Sequence, residues 1–105
     1  MIFSLEALLL VVIATLPGKP ERRADISAAL VKAAAASRDD AGCLSYTFTQ
    51  DLEDPDRFIS VETWEDKASL DAHFTQPHLA ELFGVLGDAL AGPADIKTYE
   101  TSGPL

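Results

Sequence analysis

The chain has 105 residues, 48% hydrophobic and 24% charged, so one soluble globular domain is expected and intrinsic disorder is excluded. A formal charge of −9, from 17 acidic against 8 basic residues, disfavours phosphate backbones and anionic lipid heads, so neither nucleic acid nor a membrane is an expected partner. A single cysteine, Cys43, rules out an intrachain disulfide and fits a reducing, cytoplasmic location.

Residues 1–7 read as a flexible start. Glu6 is the only charge before Lys19, unlike a secretory signal, and the apolar run that follows falls short of the about 20 residues a membrane helix needs. Leu8 to Leu16 is rich in Leu, Val and Ile, which predicts a central strand covered on both faces. Pro17-Gly18-Lys19-Pro20 stops it. Glu21 to Ala36 predicts a helix with Ile26, Ala29, Leu30 and Ala33 at core spacing, ended by Arg38 to Gly42. Cys43 then reads as a small buried hydrophobe opening a strand to Gln50. Alternation puts Leu44, Tyr46 and Phe48 on one face of that strand. The acidic turn Asp51 to Asp56 lacks the spacing of a calcium loop and reads as solvated.

Arg57 to Trp64 alternates again, with Phe58, Ser60, Glu62 and Trp64 opposite Ile59, Val61 and Thr63, so the two strands predict a hairpin. Asp66 is the expected N-cap of a short helix to Phe74, on which Leu70, His73 and Phe74 share a face. Pro77 opens another helix with Leu79, Leu82, Phe83 and Leu86 on one stripe. Ala94 to Thr101 predicts a last, less buried strand.

This order predicts an α+β, ferredoxin-like βαββαβ domain of about residues 8–101, with an antiparallel four-stranded sheet and helices on one face. The central strands carry apolar residues on both faces, so a second copy is expected over the open one, as a homodimer.

Several segments carry a resemblance: Pro17-Gly18-Lys19, Gly42-Cys43-Leu44-Ser45-Tyr46, Glu62-x-Trp64-Glu65, Leu70-x-Ala72-His73-Phe74 and Gln76-Pro77-His78. In this order and spacing the chain resembles the antibiotic biosynthesis monooxygenase (ABM) domains. That resemblance implies a dimeric α+β barrel with a pocket between sheet and helices in each subunit. It covers cofactor-free oxygenases of anthrones, quinol monooxygenases, a haem-degrading branch and an isomerase branch acting on a phosphorylated sugar derivative. The haem-degrading pattern is not matched: His73 stands at the helix Trp position, Phe83 at that of the ligand His, and the first strand has no Asn.

Cofactor-free oxygenation needs a base for a phenol, a dry apolar pocket and flat walls for a ring. His73 is the candidate base and Tyr46 the candidate donor to an oxyanion. Trp64 and Phe83 are candidate walls, and Phe48, Glu62 and His78 complete the expected substrate-binding set. Bland readings stand beside these: Trp64 as core, His73 as a satisfied core histidine, His78 as surface, and Glu62 as a buried acid paired with His73 or with a dimer partner. No glycine loop or dinucleotide fingerprint is present, and two histidines across a proline with no Cys partner make a poor zinc site, so no cofactor and no metal are expected. The expected activity is cofactor-independent oxidation of a quinol-like or polyphenolic aromatic with O2. The alternatives are an isomerase of a small phosphorylated dicarbonyl, which would need cations from Arg57, Lys67 and Lys97, and a non-catalytic ligand-binding dimer.

Overall fold

The computed structural model describes residues 9–102. The expected flexible start and Leu8 lie outside them. Strand β1 (Leu9–Pro17) leads through a single 3-10 turn (Pro20–Arg22) into helix α1 (Arg23–Ser37). Strands β2 (Cys43–Gln50) and β3 (Arg57–Trp64) follow, then helices α2 (Lys67–His73) and α3 (Pro77–Ala89) and strand β4 (Asp95–Thr101). The four strands form one antiparallel sheet in the order β2-β3-β1-β4. This is the ferredoxin-like arrangement expected from the element order.

All three helices pack on one sheet face. Leu10, Val12, Ala14 and Leu16 of β1 and Phe58, Ser60, Glu62 and Trp64 of β3 point into it and are buried. On α1, Ile26, Leu30, Ala33 and Ala34 meet them, and the alanines let the helix approach closely. From α3 come Leu79, Leu82, Leu86 and Ala89. That helix runs through Gly84 and Gly87 to Ala89, with Leu86 and Ala89 held in the core. Asp66 caps α2 as its sequence position predicts, its side chain accepting the Ser69 N–H at 2.8 Å.

Two expectations need correction. Among the described residues, strand β1 is covered by helices on one face only, and Ile13 on the other is 38% exposed. Register places Val11, Ile13, Ile59, Val61 and Tyr99 together on that open face. Leu44 does not join Tyr46 and Phe48. An irregularity between Cys43 and Ser45 gives β2 an extra residue there, so Cys43 pairs with Trp64 and packs on the core while Leu44 turns outward.

Candidate active site

The buried sheet face carries two apolar clusters. One joins Leu16 and Phe58 to α1 and α3. The other joins Leu10, Val12, Tyr46 and Trp64 to Ala34 and Leu70. Between them lies a cavity of about 350 Å³. Its polar wall is Tyr46, Ser60, Glu62 and His73; the remaining lining is apolar side chains and glycine, with no Lys or Arg.

His73 ends α2 with its ring 1% exposed. Trp64 packs against it with ring centroids 4.5 Å apart, and Tyr46 and Phe74 flank it at 5.4 Å each. Its Nδ1 lies 2.7 Å from Asp40 Oδ2, and the same oxygen takes His78 Nε2 at 2.9 Å. A carboxylate oxygen only accepts, so both imidazoles donate to it. The neutral His73 ring therefore has an unprotonated Nε2 on the edge away from Asp40. Asp40 is outside the cavity lining and His73 is in it.

Asp40 reaches this place through a tight turn after α1. The Asp40 N–H donates to Ser37 O at 3.0 Å, and the Cys43 N–H returns to Asp40 O at 3.1 Å. Gly42 closes the turn at φ +80°, and a Cβ there would lie 2.1 Å from Ser69 Oγ, so this position needs glycine twice over. The backbone that positions Asp40 is thereby docked on α2, the helix that carries His73.

Glu62 faces the cavity from β3 and is 4% exposed. Its Oε1 accepts the Trp64 indole N–H at 3.0 Å and its Oε2 the Ser60 hydroxyl at 2.8 Å. Burial pushes the carboxyl above the ordinary glutamate range, against those two hydrogen bonds and the nearby His73, which pull it down. Burial likewise raises the Tyr46 phenol well above its ordinary value, helped by Glu62 and opposed by the Ser37 hydroxyl. Tyr46 is thus a proton-bearing donor at neutral pH, suited to hydrogen-bond an oxyanion. The Cys43 thiol is also raised, chiefly by burial, which leaves it a poor nucleophile.

Of the residues singled out from sequence, Tyr46, Phe48, Glu62, His73 and Phe83 line the cavity. Trp64 is fully buried behind its wall, stacked on His73 and bonded to Glu62, so it orients the wall and is not itself lining. His78 stands outside as the second donor to Asp40. Glu62 takes Ser60 and Trp64 as its hydrogen-bond partners, not His73. Sequence reading missed Asp40, an acid two residues before the glycine that opens β2. It also discounted a metal by counting only two histidines. Asp40, His73 and His78 bring three ligating atoms within 4.8 Å of one another, the one such group among the described residues. Their direct 2.7 and 2.9 Å contacts already satisfy the cluster by hydrogen bonding.

The sequence pattern of the antibiotic biosynthesis monooxygenase family matches residues 9–83, which takes in all of these side chains. An uncharacterized protein of Synechocystis sp. is 34% identical over 91 residues, 87% of this chain. The chain spans 62% of that relative's length. Among solved structures, a conserved protein from Methanosarcina mazei superposes with a TM-score of 0.85 at 28% identity, over 94% of this chain and 97% of its own. A structure described as an antibiotic biosynthesis monooxygenase gives a TM-score of 0.84 at 26% identity, over 88% of this chain and 97% of its own.

Proposed function

The chain belongs to the antibiotic biosynthesis monooxygenase family, and we propose that within it the chain is a cofactor-independent monooxygenase of a neutral quinol-like aromatic, using O2. The carrying observation is the apolar cavity with His73 in its wall, backed by Asp40. O2 in its triplet ground state reacts poorly with closed-shell molecules, whereas a phenolate can give it one electron. His73 Nε2 takes the phenolic proton, and Asp40 stabilises the imidazolium that results. Tyr46 donates to the phenolate oxygen, and the apolar walls exclude water.

Cavity size narrows the substrate. Ligand pockets run from about 300 to 1,000 Å³, and this one is near the lower end, which suits one or two fused rings better than a polycyclic anthrone. The isomerase alternative needs cations at the site. Arg57 pairs with Asp51, Lys67 with Asp71 and Lys97 with Asp95, and none of the three lines the cavity.

The test is oxygen uptake with a naphthoquinol and no added metal, flavin or nicotinamide. Uptake that resists a chelator is expected. No uptake with any one- or two-ring quinol would overturn the reading.

A homodimer is part of the same proposal. Ile13, Val61 and Tyr99 are 38%, 44% and 49% exposed on the open sheet face, and a second copy laid there would remove them from water. Light scattering should return twice 11.2 kDa at micromolar concentration, and a monomer mass would refute the dimer.

A further inference from the structure

We propose that Glu62 is the acid–base group for the oxygen half of the reaction: it protonates the peroxide formed on the substrate ring and then removes the hydrogen of the ring carbon that holds it. This rests on the monooxygenase reading and assigns a second catalytic residue to the same cavity.

The geometry points there because Glu62 and His73 share one cavity but not one set of partners. His73 is fixed from outside by Asp40. Glu62 is fixed from its own strand, by Ser60 and Trp64 two residues to either side. Side chains two apart on a strand share a face, so β3 alone builds the whole cradle. Both donors are neutral. No Lys or Arg lines the cavity to neutralise a buried Glu62 carboxylate; His73 is the one basic side chain there that draws its pKa down. Structural buried acids are ordinarily paired with a cation. This one has two neutral donors as its hydrogen-bond partners, and burial raises its pKa above the ordinary glutamate range.

The chemistry needs such a group. Once His73 has the phenolic proton, the phenolate passes one electron to O2. The resulting superoxide and ring radical couple, forming a C–O bond at a ring carbon that bears hydrogen and leaving a peroxide anion. Glu62 gives its proton to the terminal oxygen. The Glu62 carboxylate then takes the hydrogen from that ring carbon. The C–H electron pair becomes the second bond of a new C=O, the O–O bond breaks, and the departing hydroxide takes the proton held on His73. The sum is phenol plus O2 giving quinone plus water. Four electrons pass from ring to oxygen, and both side chains return to their starting states.

Without the acid, the peroxide falls back to superoxide, which disproportionates to hydrogen peroxide, and to the ring radical, which disproportionates to quinol and unoxygenated quinone. The experiment measures O2 consumed, hydroxynaphthoquinone formed (the oxygenated product, separated from parent naphthoquinone) and hydrogen peroxide released, with a naphthoquinol, in wild type and Glu62→Gln. The amide still accepts from Trp64 and can donate to Ser60, so the cradle survives. Formation of the hydroxylated quinone should fall by about 10² or more, the scale of a general acid, and most of the oxygen still consumed should appear as hydrogen peroxide alongside unoxygenated naphthoquinone. Glu62→Met, similar in size and without the carboxyl, serves as the second variant and should read the same. Hydroxylated-quinone formation in either folded variant as tightly coupled to oxygen as in wild type overturns the assignment and leaves the monooxygenase reading standing. Absence of oxygen uptake in wild type itself overturns both.

Discussion

The two ends of the interior are built on opposite terms. Toward Leu16 and Phe58, the space between sheet and helices is filled by Ile26, Leu30, Ala33, Leu79, Leu82, Leu86 and Ala89, with no titratable group in the cluster. Toward Leu10 and Trp64, the same sheet face buries Glu62 and His73, and each brings its own hydrogen-bond partners. The cavity takes Leu79, Leu82 and Leu86 from the first end and Tyr46, Glu62 and His73 from the second. One end should therefore dominate stability and the other should dominate turnover. Mutations can separate them.

The largest effect is expected at His73. General-base contributions are typically about 10² to 10⁴-fold, roughly 3–5 kcal/mol of barrier. His73→Ala should lower oxygen uptake into that range while the far-UV circular dichroism keeps its shape. A folded His73→Ala protein that turns over at close to the wild-type rate would leave His73 a packing residue.

Ile26→Ala probes the opposite end. Ile26 is fully buried, lies outside the cavity lining and belongs to the non-titratable cluster. Its truncation should cost about 2–5 kcal/mol in urea unfolding, from lost burial and the space left behind. Turnover per folded molecule should stay near wild type. If turnover drops in parallel with stability, the two ends are not separable.

A smaller effect is expected at His78, which lies outside the cavity, donates to Asp40 and has its ring centroid 6.1 Å from that of His73. His78→Ala removes one of the two donors to Asp40 Oδ2, a loss of about 0.5–1.5 kcal/mol in stability for a typical hydrogen bond. The His73 contact remains, so turnover should fall much less than in His73→Ala. Equal losses in the two variants would make His78 a partner in the chemistry.

Much of the second end was legible in the sequence because it is local. Period-two alternation alone places Phe58, Ser60, Glu62 and Trp64 on one face, and that face is buried. Asp66 caps its helix through a contact three residues away. Asp40 was not legible. It meets His73 across 33 residues, by way of a left-handed glycine turn that no periodicity encodes. Trp64 and Leu44 show the other limit. A strand-end aromatic reads alike whether it lines a cavity or backs its wall, and one extra residue in β2 sends Leu44 outward, against the simple alternation.

The smallest expected effect is a slope in pH, and it bears on the same contrast. Among the described residues, only the site end holds a buried acid whose pKa is raised by folding. Such a carboxyl binds its proton more tightly in the folded chain than in the unfolded one. The protonated form then contributes stability that is fully present below the ordinary glutamate value and is lost as pH rises through the raised folded value. Wild-type stability should therefore slope downward with pH across that window, relative to Glu62→Gln, which cannot titrate. Urea unfolding of the two proteins at a series of pH values from about 4 upward reads the difference directly. The opposite sign, with wild type gaining on the variant as pH rises, would mean that the Ser60 and Trp64 hydrogen bonds outweigh burial. Glu62 would then sit in the cavity as a carboxylate with no proton to give.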